Sequence, residues 1–318
     1  MKPWLSALVP VHDGAQFLGA TLQAAAQEAP DGVEFLIYDS GDDEGACKDI
    51  VNSFSQQLDL RYRHTGNNRA WTAKTNLAAQ EAQADHLVML HQDDLWLPGH
   101  MHAVRAAIAR APEAALSIGP SMFIDETGRT IGEWRLPFSP GLHDGCKVLE
   151  TLIVQNTIGI PSGVIRRSAW DLAGGLDETL WYTADWDLYL KLASAGPIDV
   201  RREASTAFRI HGQSQTMKGR HDAAAFEEQH NIVLERHLPL LCSAARSKQA
   251  KLANTSAAIN CALARATGGE RRALVSALSA LASLGPANLV AFLAASRLLD
   301  RVVPRLRLAM TSSFTRAY

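Results

Sequence analysis

Leu90-His91-Gln92-Asp93-Asp94-Leu95-Trp96-Leu97-Pro98 is the stretch on which the reading of this chain turns. It closes a short apolar run, Leu87-Val88-Met89-Leu90, of the kind expected for a strand covered on both faces of a parallel sheet. Two carboxylates stand where that strand ends, just before a proline-marked turn. In open α/β sheets, ligands bind outside the carboxyl ends of the strands. Adjacent carboxylates there suit a hard divalent cation, Mg²⁺ or Mn²⁺, shared with a substrate diphosphate. The same pair would equally serve as cap and dipole partner of a following helix. The segment alone leaves both roles open.

Outward from this stretch, apolar runs alternate with helical spacing. Leu5–Val11 reads as a strand ending at the polar turn His12-Asp13-Gly14, and residues 15–29 follow with helical periodicity. Glu34–Tyr38 is a second strand, ending at Asp39-Ser40-Gly41-Asp42-Asp43-Glu44, with a helix through about Gln57. Leu60–His64 is a third strand, 72–83 a helix, Leu87–Leu90 the fourth strand, 98–111 a helix and Ala115–Gly119 a strand. This order predicts a doubly wound, mostly parallel sheet with flanking helices. Further on, Phe123–Trp134 reads as a hairpin about Asp125-Glu126-Thr127-Gly128, and Ile158–Arg166 as a strand. Ser168–Ala173 is a helix stopped by Gly174-Gly175, 185–195 another helix, and Ala204–Ile210 a last strand. From about 222 the chain reads as helical, with breaks at Gly268-Gly269, Gly285-Pro286 and Pro304. Two units are expected, 1–220 and 221–318.

The 318 residues are 47% hydrophobic and 20% charged, an ordinary globular composition with a net charge of −2. The charge is unevenly placed. Residues 240–318 hold 11 Lys and Arg against 2 Asp and Glu, so a basic tail follows an acidic body. Such a tail suits anionic surfaces. The four cysteines are scattered and lack metal-ligand spacing, which argues against a zinc site and for reduced thiols in a cytoplasmic setting. Neither GxGxxG nor GxxxxGK[ST] occurs, which disfavours dinucleotide oxidoreductases and P-loop NTPases.

Polar residues end several strands of the first half: Asp13, Asp39 and Asp93-Asp94. In a parallel sheet these ends line one crevice. Trp181-Tyr182-Thr183-Ala184-Asp185-Trp186-Asp187 places Asp185 at a helix start, as N-cap or as general base toward a hydroxyl. Its aromatic neighbours would stack on a sugar or fill core. Phe208-Arg209-Ile210-His211 ends a strand with a histidine suited to a transition metal such as Mn²⁺ or to a plain structural role.

These segments, in this order, resemble an inverting family 2 glycosyltransferase with the GT-A fold. VPVHDGAQFL is similar to that family's opening strand and loop, and EFLIYDSGDDE to its base-binding segment. WTAKTNLAAQEAQADHLVMLHQDDLWLP is similar to the run into its Asp-x-Asp motif. GVIRRSAWDLAGGLDE, TADWDLYLKLA and FRIHGQSQT are similar to three later segments. The likeness covers about residues 5–216. It implies a nucleotide-sugar donor, with UDP favoured, and Mn²⁺ or Mg²⁺ on its diphosphate. It also implies a glycan, lipid-linked or other hydroxyl acceptor. Asp93 and His211 would hold the metal and Asp185 would be the base. Asp39 would contact the nucleobase, and the backbone near Pro10 and Val11 the nucleoside. Asp13, Asn76, His91, Gln92 and Asp94 would complete the donor side. His91 stands where the family has the first Asp of Asp-x-Asp, Ser40 where it has a second Asp, and Ala184 where it has a Glu. These departures keep a catalytically silent nucleotide-sugar binder as the alternative.

In the tail, residues 273–296 carry no charge but are interrupted by Gly285-Pro286 and Asn288, so two short helices fit better than a membrane span. Arg297, Arg301 and Arg305 form an i, i+4 basic row beside an apolar stripe. That pattern suits a peripheral position at an anionic membrane face, a homodimer interface, or packing on the body. Nucleic acid is not an expected partner.

Overall fold

The computed structural model describes residues 2–212, 223–267, 269–270 and 272–315. β1 (Leu5–Val11), α1 (Ala15–Gln27) and β2 (Val33–Asp39) open the chain, and both strands are buried along their whole length. Cover on both faces is what an unbroken apolar run demands. α2 (Glu44–Ser53) starts at Asp43, whose side chain accepts the N–H groups of Gly45 and Ala46. β3 (Asp59–His64) alternates exposed and half-buried residues because it is the sheet edge. α3 (Trp71–Glu81), β4 (His86–Met89), β5 (Leu95–Trp96), α4 (His100–Arg110) and β6 (Leu116–Ile118) follow. The predicted hairpin is β7 (Ser121–Ile124) and β8 (Thr130–Trp134). Next come β9 (Gly141–His143), α5 (Gly145–Leu152), β10 (Val164–Arg166), α6 (Arg167–Ala173) and α7 (Ala184–Ala195). β11 (Ile198–Val200) and β12 (Thr206–Arg209) end the strands.

The larger sheet has the order β3-β2-β1-β4-β10-β6-β11-β9. β10 and β9 run against the other strands. The chain winds outward from β1 to β2 and β3, then returns to place β4 on β1's other side. The order therefore reverses between β1 and β4, which is where a ligand crevice is expected. A smaller sheet, β5-β12-β7-β8, stands at that crevice. β5 grows directly out of the Asp93-Asp94 loop and pairs antiparallel with β12, Thr206 opposite Trp96 and Ala207 opposite Leu95.

The pleat divides the core. Leu5, Ala7, Val9, Phe35 and Ile37 face α1, α2 and α4. Leu8, Leu36, Tyr38 and Met89 face α3, α5, α6 and α7. The C-terminal helices join this second cluster. They are α8 (Ala223–His237), α9 (Ser243–Thr267), α10 (Ala273–Ser283), α11 (Gly285–Ser296) and α12 (Leu298–Thr315). Val233, Leu252, Phe292 and Leu298 pack into the same core as Leu188 and Leu190. No described helix is long and apolar enough to cross a membrane, although α10 and α11 together pass that test as a pair bent by 113°.

Several expectations are corrected. Ile158–Arg166 is not one strand: Pro161 sits in a 3-10 turn, Ile160–Ser162, before β10. Pro304 does not break its helix but lies inside α12, its ring against β8, where a Cβ on Gly132 would come 2.6 Å from Pro304 Cγ. Of the placements left open for the arginine row, packing on the body is the one seen, with all three arginines half-buried. Arg297 donates to the Leu136 carbonyl at 2.9 Å, and Arg301 and Arg305 line an internal cavity. α10–α12 also expose large apolar side chains, among them Val275, Leu278, Val290 and Leu299.

Candidate active site

The cavity occupies the crevice at the β1/β4 reversal and measures about 280 Å³. It gathers Asp93 and Asp185, which are far apart in the chain, with His211, His91, Pro10, Asp13 and Gln92. Val11, Asp39, Asn76 and Asp94 lie outside its wall.

The acidic end is built by strand pairing. β12 lies beside β5, so the residues after β12 reach the loop before β5. The Arg209 N–H donates to Asp94 Oδ1 at 3.0 Å, and Arg209 Nε to the Asp93 carbonyl at 2.8 Å. Two residues on, His211 Nε2 is 2.7 Å from Asp93 Oδ2. His91, Asp93 and Asp94 each present a ligand atom within 4.8 Å of the others. Asp94 Oδ2 and His91 Nε2 are buried with no partner. Burial, and then Asp93 beside it, raises the Asp94 carboxyl well above its usual range. Burial lowers the His91 imidazole, keeping it neutral and able to ligate. Orphaned oxygen and nitrogen ligands at a strand end fit a divalent cation. His91, where the family pattern has Asp, takes part in this set.

Gln92 is a clamp. Its Oε1 accepts the His12 N–H at 2.7 Å and its Nε2 donates to the His12 carbonyl at 3.1 Å, tying the loops after β1 and β4 together. Gly14 permits this, since a Cβ there would lie 2.6 Å from Gln92 Oε1. Asp13 stands at the cavity edge and accepts the Asp42 N–H at 3.1 Å. The Val11 carbonyl is occupied by Ser40 N–H and by Lys74 Nζ. Asp39 is fully buried, with Oδ1 on the Gly41 N–H and Oδ2 on the Tyr62 hydroxyl. A nucleobase could reach its Oδ2 only if Tyr62 swung away. Asn76 serves the loop after α6: it donates to the Leu176 carbonyl and accepts the Leu176 N–H, beside Gly175 at φ +70°.

The opposite wall carries Asp185. It is the second residue of α7, and the N-cap is Thr183, so Asp185 does not cap the helix. Asp185 Oδ1 accepts the Trp186 N–H and Oδ2 accepts Asn156 Nδ2, each at 2.8 Å. Burial pushes its carboxyl up to about 6 from 3.8, against those two hydrogen bonds. Trp186 is buried, its indole N–H on the Leu152 carbonyl, while Trp181 and Tyr182 stay half-buried at the cavity. Asp187, two residues on, belongs to the frame. It is fully buried and holds His237, Arg236 and Lys191, which fastens α7 to α8.

Sequence reasoning missed several cavity residues. Lys74 is buried, donating to Val11 O and Ser40 Oγ, and burial lowers its ammonium to about 8. A lone lysine in an apolar helix face was the available signal. Asn156, Trp134 and His230 had none. Arg301 and Arg305 were seen as a row, but which side it faces was left open.

Residues 6–172 match the sequence profile described as Glycosyl transferase family 2. The chain belongs to that family. This family 2 chain is 22% identical over 232 residues to an uncharacterized glycosyltransferase of Rickettsia felis, covering 68% of this chain and 36% of that one. It is 18% identical over 216 residues to chondroitin synthase of Escherichia coli, covering 68% and 30%. It thus spans about a third of the length of these curated relatives. Among solved structures it resembles S. aureus TarS 1-349 in complex with UDP-GlcNAc, with a TM-score of 0.62 at 14% identity, covering 80% of this chain and 72% of that one. The likeness is one of fold. The family 2 chain therefore has the GT-A architecture that the resemblance implied, with helices appended.

Proposed function

We propose that this protein is an inverting glycosyltransferase that moves a sugar from a nucleotide-sugar donor, a UDP-sugar by preference, to a hydroxyl acceptor in polysaccharide or glycolipid synthesis. The observation that carries the reading is that Asp93 and Asp185, on separate walls, line one cavity at the sheet's reversal point. The solved TarS complexes with UDP-GlcNAc and with UDP support the donor class.

On this reading Asp93, with Asp94, His91 and His211 around it, holds Mn²⁺ or Mg²⁺. The bound ion supplies Lewis-acid neutralisation of the diphosphate. The chain's own residues do the rest. The Trp186 N–H and Asn156 aim the Asp185 carboxylate, which takes the acceptor hydroxyl's proton as that oxygen attacks the anomeric carbon. Attack opposite the leaving diphosphate inverts the configuration, and no covalent intermediate forms. A base near 6 is roughly nine-tenths ionised at pH 7 yet stronger than an ordinary aspartate, which suits proton abstraction. Trp181 and Tyr182 offer faces to a sugar ring. A peripheral place at the cytoplasmic face of a membrane, or a homodimer, stays within this proposal. It is supported by the exposed apolar residues of α10–α12 rather than by the arginine row.

The test is a panel of nucleotide sugars with the full-length protein, with and without Mn²⁺ or Mg²⁺, scored for UDP-sugar binding and metal-dependent release of the sugar. Binding without any turnover would favour the silent binder over the enzyme.

A further inference from the structure

Arg301 and Arg305 sit one turn apart on α12 and face the cavity that holds Asp185. Their helix is firmly seated. Arg307 donates to the Ile131 carbonyl at 3.1 Å, Pro304 rests on Gly132, and the Arg305 guanidinium lies 5.6 Å over the Phe123 ring. Arg301 Nε is buried without an acceptor, and its side chain has no ion pair among the described residues. The carboxylates of the cavity are engaged elsewhere, Asp93 with His211 and Asp185 with Asn156. Burial, then the like charge of Arg305, lowers the Arg301 guanidinium to about 10, so it stays charged at neutral pH.

The position of the pair separates two ligands. Arg301, Arg305, Tyr182 and His230 line one cavity, with the two arginines within electrostatic reach of Tyr182 and Arg301 within reach of His230. Both rings stand beside Asp185: Tyr182 is three residues away, and His230 lies 6.0 Å from the Trp186 ring. At the other end, Asp94 and the Asp93 carbonyl are already met by Arg209, at 3.0 and 2.8 Å. On the glycosyltransferase reading the pair is then on the Asp185 side of the cavity, where the acceptor enters. A desolvated cation without a counter-ion is unfavourable until a ligand supplies the charge. A guanidinium fork matches phosphate or carboxylate oxygens in a bidentate way.

We propose that Arg301, with Arg305 beside it, receives an anionic group carried by the acceptor, phosphate or carboxylate oxygens close to the hydroxyl that Asp185 serves. This rests on the glycosyltransferase reading above and names its acceptor class.

The experiment uses full-length protein saturated with UDP and Mg²⁺, which fills the donor end. It is titrated with sn-glycerol 3-phosphate, with glucuronate, and with glycerol and glucose as uncharged controls, following the fluorescence of the cavity tryptophans. A charged probe should bind and the neutral ones should not. Arg301→Gln should weaken that binding at least tenfold, Arg301→Lys should weaken it less, and UDP affinity should be the same in all three proteins. Preference for glycerol phosphate assigns a phosphate-bearing acceptor, and preference for glucuronate a uronate-bearing one. Failure of both charged probes, or binding that ignores Arg301→Gln, overturns the proposal. Loss of UDP affinity in Arg301→Gln also overturns it, since the pair would then serve the donor diphosphate. If wild type binds no UDP, the glycosyltransferase reading falls instead. The titration is then read on protein alone, where a charge-selective, Arg301-dependent response still upholds the anion site and its absence refutes it.

Discussion

Replacing Asp185 by Asn separates chemistry from stability in one variant. The side chain keeps its size but cannot take a proton, so kcat should fall by about 10²–10⁴-fold while UDP affinity is retained. The same change should stabilise the fold at neutral pH. In the folded protein the Asp185 carboxyl titrates at about 6, against 3.8 for the ordinary group. Each tenfold in that proton equilibrium is roughly 1.4 kcal/mol, so keeping the charge buried at pH 7 destabilises the native state by about 3 kcal/mol. The sign follows from the raised value. Below about pH 4 the group is protonated in both states and contributes nothing. Between 4 and 6 the unfolded chain loses the proton first, and wild type loses stability as pH rises. The variant escapes that loss but weakens one hydrogen bond, since its amide meets Asn156 Nδ2 where the carboxylate accepted it; this costs about 1 kcal/mol. The net expectation is a variant more stable than wild type by about 2 kcal/mol at pH 7.5 and no more stable at pH 4. Urea denaturation across that range measures the difference, and single-turnover transfer measures kcat. A kcat within tenfold of wild type would remove Asp185 as base. A stability difference that is flat from pH 4 to 7.5 would show that the carboxyl is not desolvated.

Asp93→Ala should abolish metal-dependent UDP binding, read by calorimetry with and without Mn²⁺, because a hard oxygen ligand is lost; unchanged affinity would take Asp93 out of the site. Asp187→Ala should lower stability by about 3 kcal/mol at pH 7, since it leaves buried His237 without its carboxylate and takes a shared partner from the half-exposed Arg236 and Lys191. The Asp187 carboxyl is held far below its usual range by those partners, so its contribution is complete above about pH 4 and fades below it. A gap between wild type and variant that does not narrow on acidification would contradict this. For membrane attachment, Val275→Asp with Leu278→Asp should release the protein from anionic vesicles in a sedimentation assay, whereas Arg301→Gln should not; the reverse result would return the arginine row to the surface.

The first half of the fold was legible because its strands are covered on both faces. β1 and β2 are unbroken apolar runs, and their ends are marked by polar turns. β5, β9 and β11 were not legible, since two or three residues show no period and depend on neighbours far along the chain. Asp93 and Asp185 could be picked out as carboxylates at element ends. Their meeting across one cavity could not, because it depends on β5 pairing with β12 and on where α7 docks. The role of Asn76 was misread because an amide's partner, here the Leu176 backbone, is set by tertiary contact. The side faced by the arginine row stayed open for a related reason: helical periodicity gives two opposite stripes but not which one meets the body. Proline rules predicted a stop at 304, yet its flat ring finds a glycine to rest on.

The span shared with the family, residues 6–172, stops short of Asp185, His211 and both cavity arginines. The matched span takes in Asp93 and Asn156, but neither the histidine beside Asp93 nor the aspartate that Asn156 holds. Genealogies drawn from the matched span alone weigh Asp93 and Asn156 and are blind to Asp185, His211 and α12. Two chains that sort together on that span can still differ in the residues that complete the cavity. On the acceptor reading proposed above, the residues facing Tyr182 and His230 are the characters to compare.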